Sequence, residues 1–276
     1  PNRVYLRYRS VIRIGYLAKR ILAEGGTAGV LGRTSQGVYL STPSRWVVFC
    51  SWNRFCSPMT VILDGKGDDL ERVDVGMRAH LEVNKISIPD ANIVWNLDRS
   101  LEWLPSEALE DTLAIGDCVG RLDSLRCTVL RIKGNGVEIT GAASPWDQDS
   151  DRLGDALSQH LGAGEGLTPS GDDFVTGFLL AVNRYKASIW LKGNLDSLNH
   201  QIVAEAYLKT TRLSANLIEM ATWGESDERL LNAVDYVLGA EHALENVAAD
   251  LSGWGHSSGI AGLAGLEVAI GNTLRS

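Results

Sequence analysis

Apolar positions along this chain change their spacing twice, dividing it into a short head, a strand-rich stretch and a helical remainder. In the head, Ile14, Leu17, Ile21 and Leu22 recur at helical steps, which predicts a helix after a short strand or arm. From residue 25 to about residue 140 the apolar residues come instead in short runs: TAGVLGRT, GVYLST, RWVVFCS, MTVILDG, HLEVNKISI, NIVWNLD, LRCTVLRI and GVEIT. Such runs, rich in Val, Ile and Thr and bounded by Gly, Asn and Asp, predict strands, enough of them for a barrel or a sandwich. Asp64 with Gly65, and the GNG of residues 134–136, are candidate hairpin turns. Within SEALEDTLAIG, Ser106 is placed to cap a short helix whose first turn carries Glu107 and Glu110.

From residue 145 onward the helical period returns. Leu230, Leu231, Val234, Val237 and Leu238 mark an amphipathic helix that starts at residues 226–228, and further helices are predicted over 148–161, 172–185, 195–223, 241–251 and 257–274. The expected architecture is α+β. An N-terminal helix and a β-rich, barrel- or sandwich-like domain occupy residues 1–143, and an α-helical bundle domain occupies residues 144–276.

Composition narrows the classes of partner. The 276 residues suffice for a sizeable core, and 26 basic against 34 acidic residues give a net charge of −8. That balance argues against a nucleic-acid surface, which needs clustered Lys and Arg. No apolar run approaches the roughly 20 residues that a membrane helix needs, so no membrane partner is expected. Arg3, Arg7, Arg9, Arg13, Lys19 and Arg20 read as the solvated face of a packed element rather than a transit segment. Cys50, Cys56, Cys118 and Cys127 form no CxxC pair, which excludes a zinc knuckle or redox motif and fits a reducing, cytoplasmic setting. Trp46, Trp52, Trp95 and Trp103 read as packing aromatics rather than a stacking platform, and His80 has no second metal-ligand candidate beside it.

Candidate chemistry gathers in the second half. Residues 162–177 read GAGEGLTPSGDDFVTG: Gly162, Gly164 and Gly166 alternate, Thr168, Pro169, Ser170 and Gly171 follow, and Asp172 and Asp173 lead into an apolar run. This is a loop feeding a helix start. Thr168, Ser170 or an Asp is suited to cap it, and Ser170 with Asp173 fits a capping box. The amides of such a helix end attract an anion, and glycines let the ligand approach the main chain. Residues 253–259, GWGHSSG, repeat the pattern with Ser257, Ser258 and Gly259 before another helix, and His256 there is a side chain of the type that donates or accepts a proton in catalysis. Between the two loops, Thr210, Ser214 and Leu217 share one face of the predicted 195–223 helix, with Thr211 and Arg212 adjoining.

These motifs resemble those of the oxamate carbamoyltransferase subunit AllH-like family. Its hallmark GxGxGLTPSxDDxxxG is matched by Gly162, Gly164, Gly166, Leu167, Thr168, Pro169, Ser170, Asp172, Asp173 and Gly177. Its TTxxS element is matched by Thr210, Thr211 and Ser214, and its GHxSG by Gly255, His256, Ser258 and Gly259 with Ser257 at the variable position. All three come in the family's order and lie in the C-terminal half. Ala261 stands where some members carry an acid. The resemblance implies a part in anaerobic allantoin (purine) catabolism, in which oxalurate and phosphate give oxamate and carbamoyl phosphate, alongside other carbamoyltransferase subunits.

Fitted to that chemistry, the residues take expected roles. Thr168, Ser170 and the loop amides are donors to a small anionic metabolite, namely carbamoyl phosphate, oxamate or oxalurate. Gly162, Gly164, Gly166, Gly171, Thr210, Thr211, Ser214, Ser257, Ser258 and Gly259 complete the candidate binding set. Asp172, Asp173 and His256 are the catalytic candidates, with either Asp172 or His256 carrying the proton. Two other readings stand beside this one. Asp172 and Asp173 are candidate ligands for Mg2+ in a metal-assisted phosphoryl transfer, and the chain is otherwise a noncatalytic metabolite-binding subunit. No Walker lysine follows the glycines, which argues against a P-loop nucleotide site.

Overall fold

Pairing of the first strand with strands on both edges closes the N-terminal strands into a barrel. The computed structural model describes residues 7–65, 67–134, 150–185 and 195–273, and the chain divides into two units, Pro1–Pro105 and Ser106–Ser276. The first unit holds β1 (Arg7–Gly15), α1 (Tyr16–Glu24), β2 (Gly26–Thr34), β3 (Gly37–Ser41), β4 (Val47–Ser51), β5 (Thr60–Leu63), β6 (Arg78–Glu82), β7 (Lys85–Ile88), β8 (Ile93–Asn96) and β9 (Leu101–Trp103). Strands are hydrogen-bonded in the order β5-β4-β3-β2-β6-β7-β8-β1, and β1 pairs again with β5. Among the described residues this makes an eight-stranded barrel, with β9 added along β1 where Arg13 meets Leu101.

Closure requires twist, and two bulges supply it. The β1–β5 register slips between Val11 and Arg13, and the β2–β3 register slips between Val30 and Gly32. A bulge residue leaves the ladder and steepens the local turn of its strand. The two extra residues, Ile12 and Leu31, are accordingly exposed, whereas Val11, Ile14 and Val30 beside them are buried. Trp95 is wholly buried and meets Trp52 edge to face, with ring centroids 6.0 Å apart, so both are packing aromatics as expected.

Several local expectations are corrected. The head helix buries Leu17, Ile21 and Leu22 as predicted, but Ile14 belongs to β1. Asp64 and Gly65 do not join a hairpin, because β5 pairs in parallel with β4 and antiparallel with β1, while β6 pairs with β2 and β7. The LRCTVLRI run lies in a helix, α2 (Ile115–Lys133), whose buried Cys118, Leu122, Leu125 and Val129 follow the 3.6-residue period. Ser106 caps no helix; its hydroxyl donates to Asp235 Oδ2 at 2.8 Å. The division between units therefore falls ahead of the 143/144 boundary, since α2 is helical and belongs to the second unit. The GVEIT run and the rest of residues 135–149 lie outside the described residues.

The second unit continues with α3 (Ser150–Ser158), α4 (Ser170–Arg184), α5 (Leu195–Lys209), α6 (Arg212–Thr222), α7 (Glu228–Leu238), α8 (Leu244–Ser252) and α9 (Ser258–Thr273). The single helix expected over 195–223 is broken at Thr210 and Thr211. Thr211 is extended (φ −67, ψ 152) and its hydroxyl caps α6 by accepting from the Ser214 amide at 3.1 Å. At the centre of the unit, α4 is buried at every position from 171 to 182. It meets α9 with the two backbones in contact: a Cβ on Gly177 would lie 2.0 Å from the Gly262 carbonyl oxygen, and one on Gly265 2.0 Å from that of Phe174.

At its far end, α4 is anchored by Arg184. Its Nε and NH2 hold Asp235 Oδ1 and Oδ2 at 2.7 and 2.9 Å, and it also donates to the carbonyls of Ser106, Glu107 and Gly224. A guanidinium that is 2% exposed is thereby satisfied on all sides, which is what makes its burial tolerable. Among the described residues no helix is long and apolar enough to cross a membrane.

Candidate functional site

Backbone conformation makes the first glycine loop possible. Gly162, Gly164 and Gly166 have φ of +75, +121 and +92, a region that side-chain-bearing residues rarely adopt, so the loop can reverse direction three times in five residues. Asp172, on the first turn of α4, holds the reversed loop in place. It is 1% exposed, its Oδ1 accepts from the Gly162 amide at 2.8 Å, and its Oδ2 accepts from the Thr210 hydroxyl. Thr211 donates its hydroxyl to the Leu167 carbonyl at 2.7 Å, and Ser214 reaches the same oxygen at 3.5 Å. Thr210, Thr211 and Ser214 thus spend their side chains on holding the 162–172 segment against the start of α6.

The start of α4 is not the open cradle of amides that its sequence suggested. Pro169 occupies the cap position without a side-chain cap, so the Ser170–Asp173 capping box does not form. The Gly171 amide donates to Ala163 O at 2.8 Å, and the Asp172 and Asp173 amides to Pro169 O at 3.0 and 3.2 Å. Three of the helix-start donors are thus satisfied, one by the loop and two by the cap residue. The Ser170 amide and hydroxyl have no partner among the described residues, and a Cβ on Gly164 would lie 2.8 and 3.0 Å from them.

Asp173 behaves differently from its neighbour. It is 3% exposed, and its Oδ2 has no hydrogen-bond partner among the described residues. Burial pushes its pKa up to about 7, with the Ser258 hydroxyl pulling it down and the Asp172 charge adding to the rise. Ser258 opens α9, so this carboxyl sits where the two glycine-linked helices begin. Asp172 is bound by two donors while burial raises the pKa of Asp173, so two adjacent acids have opposite environments.

Both glycine-rich segments contribute to a single cleft of about 470 Å3. Gly164, Ser170 and Gly171 line it from the first segment, Ser257 from the second, and Ile260, Ala261 and Ala264 from α9. His160, Ala163 and Phe174 complete the wall. The shared pocket expected of the two loops is therefore present, but its composition differs from the expected set. Gly162, Gly166, Thr168, Thr210, Thr211, Ser214, Ser258, Gly259, Asp172 and Asp173 are not in its lining. Nor is His256, which is exposed and whose carbonyl accepts from Lys133 Nζ at 3.4 Å.

Sequence reasoning missed His160, the histidine that does face the cleft. Its ring lies 4.6 Å from that of Phe174, tilted by 35°, and burial lowers its pKa. The available signal was its position two residues ahead of Gly162. Among the described residues no three of His, Cys, Asp and Glu gather into a metal-binding group. Both Asp172 oxygens accept from protein donors.

The fold and the site define an α+β protein whose helical unit folds two glycine-rich turns onto one small cleft. Residues 160–270 match the family model described as oxamate carbamoyltransferase subunit AllH, so the family likeness read from the motifs holds across all three of them. No curated protein and no solved structure matches the chain.

Proposed function

We propose that this chain is a subunit of an oxamate carbamoyltransferase-type enzyme and that its cleft holds the small anionic metabolite of that reaction. The observation that carries this reading is the convergence of the two glycine-rich segments, both inside the family match, on one pocket. In the overall chemistry a phosphate oxygen attacks the carbamoyl carbon of oxalurate, the bond from that carbon to the oxamate nitrogen breaks, and the phosphate proton ends on that nitrogen. Carbamoyl phosphate and oxamate leave. The Ser170 amide and hydroxyl are the donors for the ligand, and Ser257 lines the same space.

Asp172 has a positioning role in this reading: it fixes the loop that shapes the pocket. Asp173 is the acid suited to hold a proton at neutral pH, in place of Asp172 or His256. A second reading, a noncatalytic metabolite-binding subunit, draws support from the absence of any acid among the described lining residues. Both readings have the same first test. The purified chain is incubated with oxalurate and phosphate, alone and with the other carbamoyltransferase subunits, and carbamoyl phosphate is measured. Product only in the mixture, lost when this chain is withheld, supports the subunit role. Full phosphorolysis in a mixture that lacks this chain rejects it.

A further inference from the structure

We propose that Arg229 is a positioning residue of the cleft: its guanidinium, fixed by Asp227, supports the Trp254 indole and through that ring sets where the second glycine-rich turn holds Ser257; this rests on the metabolite-binding reading above. The two walls of the cleft are held by different means. The first turn is tied by side-chain hydrogen bonds, from the Gly162 amide to Asp172 and from the Thr211 hydroxyl to the Leu167 carbonyl. In the second turn Gly253, Gly255, His256 and Ser257 are exposed, so burial does little to fix them. Its ends are fixed through the backbone. The Trp254 amide donates to Leu251 O at 3.1 Å, the Gly259 amide donates to Trp254 O at 3.2 Å, and a Cβ on Gly259 would lie 1.9 Å from Leu251 O. Between those ends Gly255 takes a left-handed φ of +58, and Ser257 lines the cleft.

Beneath Trp254 lies a buried ion pair. Arg229 Nε and NH2 donate to Asp227 Oδ1 and Oδ2 at 2.7 and 2.9 Å, and the Arg229 amide donates to the same Oδ1 at 3.0 Å. One carboxylate therefore caps α7 and holds the guanidinium in a single orientation. Arg229 is 6% exposed, and its Cζ stands 5.1 Å from the centroid of the Trp254 ring. A guanidinium withdrawn from water attracts an aromatic face more strongly than one in solvent. The start of α7 is thus a fixed support for a ring that precedes Ser257 by three residues. Neither Asp227 nor Arg229 is among the described lining residues, so their effect on the cleft passes through Trp254.

The test is hydrogen exchange of the Trp254 and Gly259 amides in the whole chain, followed by isothermal titration with oxamate and with carbamoyl phosphate. Wild type is compared with Trp254→Phe, Trp254→Ala and a double variant, Asp227→Asn with Arg229→Met. The double variant keeps a capping residue on α7 and leaves no buried charge without its partner. Trp254→Ala and the double variant are each expected to speed exchange of both amides about tenfold and to weaken binding of the titrated compound about tenfold. The Gly162 and Gly171 amides of the first turn are expected to keep their exchange rates, which a general loss of stability would not allow. Trp254→Phe, which keeps an aromatic face over Arg229, is expected to stay within about threefold of wild type in both measurements. Should the double variant fail to fold, Arg229→Lys, which gives up the two-pronged hold on Asp227, replaces it and is expected to speed exchange about threefold or more. Exchange that speeds in Trp254→Ala but not in the Arg229 variant overturns the role of Arg229, and exchange unchanged in both overturns the support of the turn by Trp254. Faster exchange with unweakened binding overturns the effect on the cleft. A wild-type chain that binds neither compound overturns the metabolite reading, and the exchange rates then decide by themselves whether Arg229 positions the turn.

Discussion

Two adjacent acids in this protein, Asp172 and Asp173, have the same side chain and opposite fates, decided by what surrounds each carboxyl. Asp172 meets an amide and a hydroxyl, and its substitution by Asn removes the charge from both bonds and turns one acceptor into a donor, which the Thr210 hydroxyl meets only by reversing its own bond. Asp172→Asn is expected to cost roughly 1–3 kcal/mol, read as a lowered denaturation midpoint. An unchanged midpoint would remove the tie from the account. Asp173 gives a pH dependence with a definite sign. Its folded-state pKa of about 7 stands above the ordinary carboxylate value that unfolding restores. The folded chain binds the extra proton between those values, so the group's contribution is fully present below about pH 4 and is lost as pH rises toward about 7. At about 1.4 kcal/mol per pKa unit, on the order of 4 kcal/mol is involved. The stability gap between wild type and Asp173→Asn is therefore expected to shift in favour of the variant between about pH 4 and about pH 7 in denaturant titrations. A gap that does not change with pH would show that Asp173 ionises normally. The sequence pointed to both acids, but residue types alone could not tell which would be satisfied and which left without a partner. His160 escaped notice because it lies outside any glycine or hydroxyl motif, and only the fold of the loop brings it to the cleft.

At the scale of elements, the glycines of α4 and α9 set the helix contact that places Ser170 and Ser257 around one pocket. Gly177 of α4 and Gly262 and Gly265 of α9 let the two helices meet backbone to backbone. Gly265→Ala puts a methyl group where the Phe174 carbonyl stands, and roughly 3 kcal/mol or more of destabilisation is expected, at the upper end of overpacking costs. A thermal melt that matches the parent would contradict the contact. Arg184→Ala, which leaves Asp235 buried without its partner, is expected to cost roughly 3–5 kcal/mol by the same measurement. The LRCTVLRI run misled because a short apolar stretch of eight residues does not reveal its period, and the buried positions that settle it begin further upstream at Cys118. The helix over 195–223 was legible in its apolar spacing, but its break was not. Thr210 and Thr211 fit a helix locally and leave it because Asp172 and Leu167 take their hydroxyls.

For the whole molecule, the change from short apolar runs to helical spacing was enough to read an α+β chain with a β-rich first part and a helical second part. The choice of a barrel over a sandwich was not legible, since it depends on β1 pairing with both β8 and β5, strands far from it in sequence. The convergence of residues 162–171 with Ser257 was likewise an expectation that only tertiary structure could meet. The central claim, that these segments form one metabolite-binding pocket, is tested most directly by calorimetric titration of wild type and of Ala261→Trp, whose indole fills the cleft, with carbamoyl phosphate, oxamate, oxalurate and phosphate. Saturable binding of at least one of them by the wild type, weakened about tenfold or more in a variant of unchanged stability, is the predicted result. Equal binding by both proteins, or no binding by the wild type, would contradict it.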